Sequence, residues 1–264
     1  MGGYMLSPHL AERDVSEMRR SAEEARAATL RAAQVERYLS PPPDTAYALE
    51  YAFHLLGDAR GKKVLDLGCG TGENIIPLAK RGARVIGMDI STELVDLAQQ
   101  RLKGAGVEAV MRVGSAYDTG LPDESVDIIF CIALIHHLDI ASARDEMRRV
   151  LARDGLIILS EPIRFSSIYN RFRNLFPARE NISEHEHPLT SNELAAFTKR
   201  FTVEGARYFR LPLLPLAFRA LPPKTLDRRK LWKMDRWILQ HCPPAQKNAT
   251  NATMRLRKSI GAKD

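Results

Sequence analysis

Hydrophobic positions change their period along this 264-residue chain. Over residues 12–38, Val15, Met18, Ala22, Ala25, Leu30 and Ala33 recur near the helical spacing in a background rich in Ala, Glu and Arg, which predicts one or two helices. "SPPPD" then breaks the pattern, since each proline restricts the residue before it, and "TAYALEYAFHLLG" resumes as an apolar helix ending at Gly57. From Lys62 short apolar β-type runs alternate with helical ones. Strands are predicted at 63–67, 84–89, 108–113, 126–132 and 155–160, with helices near 73–81, 92–103 and 141–151. Such alternation implies right-handed crossovers and a parallel sheet. "FTVEGARYF" (201–209) and "TMRLRKS" (253–259) complete it as an antiparallel pair. The expected fold is α/β: a doubly wound, mostly parallel seven-stranded sheet with helices on both faces. An N-terminal helical cap is placed at 1–57 and the main domain at 58–264. Inserts at 162–190 and 211–248 are assigned to the substrate side, because long inserts in compact domains are commonly functional.

Composition changes this picture little: 45% hydrophobic and 27% charged residues are ordinary for a globular chain. The start, "MGGYMLSPHLAERD", lacks a basic flank with an apolar core, and no run of about 18 apolar residues occurs, so a cytoplasmic protein without a spanning helix is expected. Cys69, Cys131 and Cys242 are odd in number and lack CxxC spacing, and are read as reduced thiols. Charge is unevenly spread: residues 201–264 carry 14 Lys and Arg against 4 Asp and Glu, a local +10 within a net +7. Such a surplus suits nucleic acid, anionic lipid or a solvated surface.

The chemistry concentrates at "VLDLGCGTG". Glycines between a strand and a helix expected from Glu73 stand on the carboxyl edge of the sheet, where open α/β sheets bind ligands. A dinucleotide fingerprint needs glycine at position 73, and Glu73 suits a pyrophosphate poorly. No Lys-Ser/Thr follows, which excludes a phosphate loop. A nucleoside without phosphates is left. Asp89, closing the second strand about 20 residues on, is placed to accept two ribose hydrogen bonds. Ribose without phosphate points to S-adenosylmethionine.

"VLDLGCGTG", "IGMDIS", "LPDESVDIIFCIALIHHL" and "RVLARDGLIILSEP", in that order over roughly residues 60–162, resemble the class I S-adenosylmethionine-dependent methyltransferases. The resemblance implies that Asp66 and the backbone of Gly68, Cys69, Gly70 and Gly72 hold the methionine part, Asp89 the ribose, and that Ile90 lies against adenine. Many relatives place Gly-Asp-Ala after the third strand, its aspartate on the adenine amine. Here the triplet is Gly114, Ser115, Ala116, so that contact passes to a backbone amide or to Asp118. Cys131, Ile132 and Ala133 are expected near the methionine moiety.

Candidate bases follow the fourth and fifth strands. His136 and His137 in "LIHHLD" suit general-base work, or else one caps the next helix while the other packs on the sheet. Glu161 in "LSEPIR" is a base, an amine-orienting group, or simply a partner for Arg164, the last being the leading expectation. The histidines rank above Glu161 as bases. No metal is assigned: "SEHEHPLT" alternates Glu184, His185, Glu186 and His187, which puts only two groups on one face, and "PLTSNEL" reads as a helix entry capped by Thr190 or Ser191.

The Asn/Asp-Pro-Pro-aromatic signature of base-modifying relatives is replaced by "CIALIHHL", so a small-molecule acceptor is favoured over nucleic acid. Phe165, Ile168, Tyr169, Phe172, Leu175 and Phe176, with Phe218, Trp232 and Trp237 further on, fit a lid over an apolar acceptor, a peripheral contact with anionic lipid, or helices packed on the sheet. The expected activity is methyl transfer to a small lipophilic or aromatic acceptor. The alternatives are an RNA methyltransferase using the basic C-terminal quarter and a non-catalytic cofactor-binding module; the oligomeric state is left open.

Overall fold

The computed structural model describes residues 7–27, 35–165, 187–211 and 228–259. Helices α1 (Pro8–Ala27), α2 (Glu36–Leu39) and α3 (Ala48–Leu56) precede strand β1 (Lys63–Leu67). Then come α4 (Ile75–Lys80), β2 (Arg84–Asp89), α5 (Thr92–Ala105), β3 (Val110–Val113) and β4 (Val126–Ile132). A 3-10 turn at Ile135–His137 leads into α6 (Ile140–Val150) and β5 (Leu151–Pro162). Helix α7 (Ser191–Thr198), β6 (Phe201–Phe209), α8 (Arg228–His241) and β7 (Asn251–Lys258) finish the described chain.

The seven strands lie in the order β3-β2-β1-β4-β5-β7-β6. The first five are parallel, and β7 pairs antiparallel with both β5 and β6. The order reverses between β1 and β4, where such sheets open a ligand crevice. Alternate residues feed two cores, as the strand period of two requires. Ile129 and Cys131 of β4 pack with Ala143 and Met147 of α6 and Phe197 of α7, whereas Ile128 and Phe130 face Phe53 of α3 and Ile75 of α4. The rings of Phe53 and Phe130 stand 4.9 Å apart. Helix α3, assigned from sequence to the N-terminal cap, thus buries Phe53 and Leu56 in the same core as the sheet.

Helix ends follow local chemistry. The Ser91 hydroxyl accepts from Leu94 N and starts α5, left-handed Gly106 ends it, and Asp139 caps α6 through Ser142 N. Thr190 and Glu193 form a reciprocal capping box on α7, as the sequence predicts. Cys69 and Cys131 are buried and Cys242 is exposed.

Three expected boundaries are corrected. Helix α4 begins at Ile75, so Glu73 does not open it; that side chain turns outward to Arg101, 3.2 Å away. Strand β3 starts at Val110 because pairing with β2 runs only from Ile86 to Asp89. Strand β5 starts at Leu151, which pairs with Val126 before the register shifts and resumes at Leu156.

The largest departure is α1. Of the residues recurring at helical spacing, Val15 is 47% and Met18 44% exposed, whereas Ala25 is buried. Asp14, Glu17, Arg20, Ser21 and Glu24 line a cavity instead, with Ser21 buried and Glu24 largely exposed. A helix buries the face its neighbour can satisfy, and the neighbour here is a polar cavity. Aromatics at 168–176 and Phe218 fall outside the described residues; Trp237 on α8 is 61% exposed.

Candidate active site

A cavity of about 250 Å³ opens at the carboxyl ends of β1, β2 and β4. Its walls come from the turn after β1 (Gly68, Gly70), the end of β2 (Asp89, Ile90), Gly114 and Ala116 after β3, Ile132 to Leu134 and His137 after β4, and the polar face of α1. Of the residues expected to bind cofactor, Gly68, Gly70, Asp89, Ile90, Ala116 and Ile132 stand on this wall. Asp66, Cys69, Gly72 and Ser115 lie behind it.

The turn is built by backbone bonds. Gly68 N and Cys69 N both donate to Met88 O, at 2.8 and 2.9 Å, drawing the glycines onto the end of β2. Gly70 N then donates to Asp89 Oδ2 at 2.9 Å, while Ser91 N donates to Oδ1 at 3.1 Å. The carboxylate is thus aimed by two amides. Gly72, at φ 76°, packs so tightly that a Cβ would stand 2.9 Å from that of Ala98. Gly70, at φ 50°, has open space where a Cβ would project.

Asp66 is 1% exposed, and its Oδ2 has no hydrogen-bond partner among the described residues. Burial, helped by Asp89, pushes its carboxyl up to about 8. Burial also raises Asp89, against the amides that lower it. Asp14 and Glu17 of α1 add carboxylates to the same space. These walls favour a cation and oppose a pyrophosphate, an exclusion that Glu73, turned outward, does not supply.

Beside the end of β4, Glu161 is fully buried, and its Oε1 accepts from Leu134 N at 2.8 Å and Ile135 N at 2.9 Å. Its Oε2 meets His136 Nδ1 at 2.8 Å. The expected pairing with Arg164 gives way to these contacts, because the positive φ of Ala133 (55°) turns two amides toward the one carboxylate. Neither Glu161 nor His136 stands on the cavity wall; His137 does. The two imidazoles are 3.9 Å apart. His137 Nδ1 is 3.6 Å from Glu17 Oε2, and Arg13 Nη2 donates to the His137 carbonyl.

Burial, then His136, Arg20 and Arg13, lower the His137 pKa to about 3. Its folded value lies below the ordinary 6.5, so the ring is neutral at pH 7. Stability should then be full above about pH 6.5 and decline toward pH 3, as the unfolded chain alone takes the proton. Melting temperatures between pH 7.5 and 5 should fall less steeply for His137→Gln than for the native chain. Parallel curves would contradict a buried neutral ring.

His187 Nε2 meets Glu193 Oε1 at 2.8 Å, and the other Glu193 oxygen serves the α7 cap, so this carboxylate is spent on structure. Among the described residues no cluster of three metal-ligating side chains occurs, and no helix is long and apolar enough to cross a membrane.

A sheet reversing between β1 and β4, a glycine turn under the end of β2 and an acidic, phosphate-averse cavity define an S-adenosylmethionine-binding α/β fold. Residues 65–159 match the family described as "Methyltransferase domain". Over that stretch the chain is similar to the class I S-adenosylmethionine-dependent methyltransferases, whose cofactor is S-adenosylmethionine. It is 33% identical over 144 residues to the "Uncharacterized methyltransferase YcgJ" of Bacillus subtilis, covering 50% of this chain and 57% of that protein. A "Ubiquinone biosynthesis O-methyltransferase" of Actinobacillus pleuropneumoniae is 32% identical over 118 residues, 42% of this chain and 50% of the other. The chain thus spans about half the length of these relatives. The solved structure of a putative sarcosine dimethylglycine methyltransferase from Galdieria sulphuraria shares the fold, with TM-score 0.56 at 15% identity, covering 94% of this chain and 98% of that one.

Sequence reasoning missed the α1 wall. The signal was present: Asp14, Glu17, Ser21 and Glu24 recur at helical spacing, in competition with the apolar stripe.

Proposed function

We propose that this chain transfers a methyl group from S-adenosylmethionine to a small lipophilic or aromatic acceptor. The carrying observation is the walled cavity at the β1/β4 reversal, whose lining includes Asp89, the glycine turn and His137. The residues fit the cofactor: open space at Gly70, a buried unsatisfied oxygen on Asp66, and carboxylates for a cation. Asp89 would take the ribose, Ile90 the adenine, and Gly68 and Gly70 the methionine part. When bound, S-adenosylmethionine supplies an electrophilic methyl on a sulfonium for in-line displacement.

The chain's own task is to orient the acceptor and, for a hydroxyl, to receive its proton. His137 is the candidate. Its neutral ring is a proton acceptor at working pH, and Glu17 Oε2, 3.6 Å from Nδ1, offsets the charge that protonation creates. Burial, then His136, Arg20 and Arg13, oppose that charge, which makes the base weak and confines it to the more acidic hydroxyls, such as a phenol. His136, committed to Glu161, positions the loop.

The ubiquinone-pathway name of one relative supports a lipophilic aromatic acceptor. So does the fate of the C-terminal basic residues: Arg255 and Arg257 clamp Glu204, Arg236 pairs with Asp44, and Lys258 donates to the Leu151 carbonyl. Among the described residues, these four basic side chains of the surplus are engaged within the fold.

The test is incubation with methyl-labelled S-adenosylmethionine and a cell extract, followed by solvent partition. Label should enter an organic-extractable small molecule. Label in RNA would overturn the acceptor assignment, and no transfer to any fraction would favour a non-catalytic binding module.

A further inference from the structure

Trp232 and Trp237 look alike in sequence and separate in the fold. Helix α8, which carries both, is fastened along one side. The two oxygens of its buried Asp235 accept from Leu211 N, at 3.0 and 3.2 Å, just past the end of β6. Leu239, one turn on, is buried on the same side, while on the flank Trp232 meets Tyr47 with ring centroids 5.7 Å apart and Arg236 pairs with Asp44 at 3.0 Å. These contacts fix the roll of the helix, so the opposite face cannot turn inward. That face carries Lys230, Lys233, Met234, Trp237 and His241, which share one helical stripe. Met234 is 49% and Trp237 61% exposed, and both lysines are exposed.

The chemistry of the stripe selects its partner. The helix has one acid, Asp235, which is buried on the other side, so the stripe is cationic and apolar without a negative charge. Trp237 combines a large apolar ring with one N–H, which suits the boundary between headgroups and acyl chains, and lysines reach from there to anionic headgroups. A single-stranded nucleic acid would use the cations and stack on a ring. One face of Trp237 is already taken by His241, at 5.0 Å and 23°, and Met234 offers no stacking surface. Phe209 of β6, Asn251 of β7 and Pro162 of β5 stand in register, so α8 is held at the carboxyl edge of the sheet, the edge on which the cavity opens.

We infer that the outer face of α8 seats this protein on an anionic membrane surface. Trp237 and Met234 enter the headgroup boundary, and Lys230 and Lys233 meet the lipid phosphates. The basic surplus of residues 201–264 acts in the same direction at longer range. The contact needs only the outer face of α8 and holds whatever acceptor is methylated, so it stands apart from the function proposed above.

The test is sedimentation of the full chain with vesicles of phosphatidylcholine alone, or with about 30% phosphatidylglycerol, at low and high salt. The native chain should partition onto the anionic vesicles at least about 10-fold more than onto the neutral ones, and lose most of that preference at high salt. Trp237→Ala and Lys233→Glu should each lower the partition about 10-fold, with melting temperature unchanged because both side chains are exposed. Val203→Ser, which removes an exposed apolar side chain from β6, should leave it unmoved. In Trp232→Phe the remaining tryptophan is Trp237, and its emission should shift to the blue with anionic vesicles only. Partition that is absent in the native chain, or that survives both substitutions, overturns the inference. Self-association or RNA binding that Trp237→Ala abolishes, with no vesicle partition, also overturns it and gives the face to a second copy or to nucleic acid.

Discussion

Replacing Asp89 by Ala should weaken S-adenosylmethionine and S-adenosylhomocysteine by on the order of 10²-fold or more. Two hydrogen bonds from ribose to an ionised carboxylate contribute about 1.5 kcal/mol each at the low end, and 3 kcal/mol is roughly 150-fold in affinity. Both carboxylate oxygens are already aimed by backbone amides, Gly70 N on one and Ser91 N on the other, so little ordering remains to oppose binding. Loss of the side chain also releases the Gly70 amide that shapes the glycine turn. The ligand-free fold should change much less: removing one of two neighbouring buried acids relieves Asp66, whose raised pKa owes part of its shift to Asp89. That relief offsets the two lost backbone bonds, and the apo melting temperature should stay within about 3 °C. Calorimetry beside a thermal melt separates the effects. Affinity of the Asp89→Ala variant within about 3-fold of native, less than one such hydrogen bond contributes, would remove Asp89 from the ribose site.

Glu161→Ala should instead strike stability. The fully buried carboxylate accepts from Leu134 N, Ile135 N and His136 Nδ1, and truncation leaves all three without it in a site closed to solvent. At about 1–3 kcal/mol for each orphaned buried group, a loss of about 4 kcal/mol is expected. At roughly 2–4 °C per kcal/mol for a chain of this size, the melting temperature should drop by about 10 °C. Glu161→Gln keeps an acceptor oxygen and should recover about half. Turnover should fall with it, because the loop that Glu161 holds carries Ala133, Leu134 and His137 onto the cavity wall. The pattern of a large stability loss with partial rescue by Gln marks a positioning residue. A melt of Glu161→Ala within about 2 °C of native would show that the loop does not depend on this carboxylate.

These two acids show how differently sequence exposes function. The place of Asp89 on the cavity wall was legible because it follows from local order: a strand end about 20 residues beyond a glycine turn. Glu161 was expected just past the end of the fifth strand, and the structure places it inside β5, fully buried and off the cavity wall. Its partners were not legible. The nearest cation in sequence is Arg164, whereas the groups it serves lie 25 to 27 residues away and meet it only because β4 and β5 are neighbours. Likewise the histidines looked equivalent as adjacent residues, and the 3-10 turn separated them, one onto Glu161 and the other onto the cavity wall.

Sequence by itself determined the alternating strands and helices, the antiparallel pair that closes the sheet, and the glycine turn with an acid at the end of the next strand, and hence the family likeness over residues 65–159 and its cofactor. All of these rest on periodicity or short spacing, which act within one or two elements. Only the tertiary structure decided which face of α1 is inward. Its apolar and polar stripes were both present at helical spacing, and choosing between them depends on what lies opposite. The carboxyl edge of the sheet presents a polar cavity there, so Asp14, Glu17 and Ser21 line it while Val15 and Met18 turned out. A helix's period is a property of its own residues, but the direction it faces is set by the surface it covers.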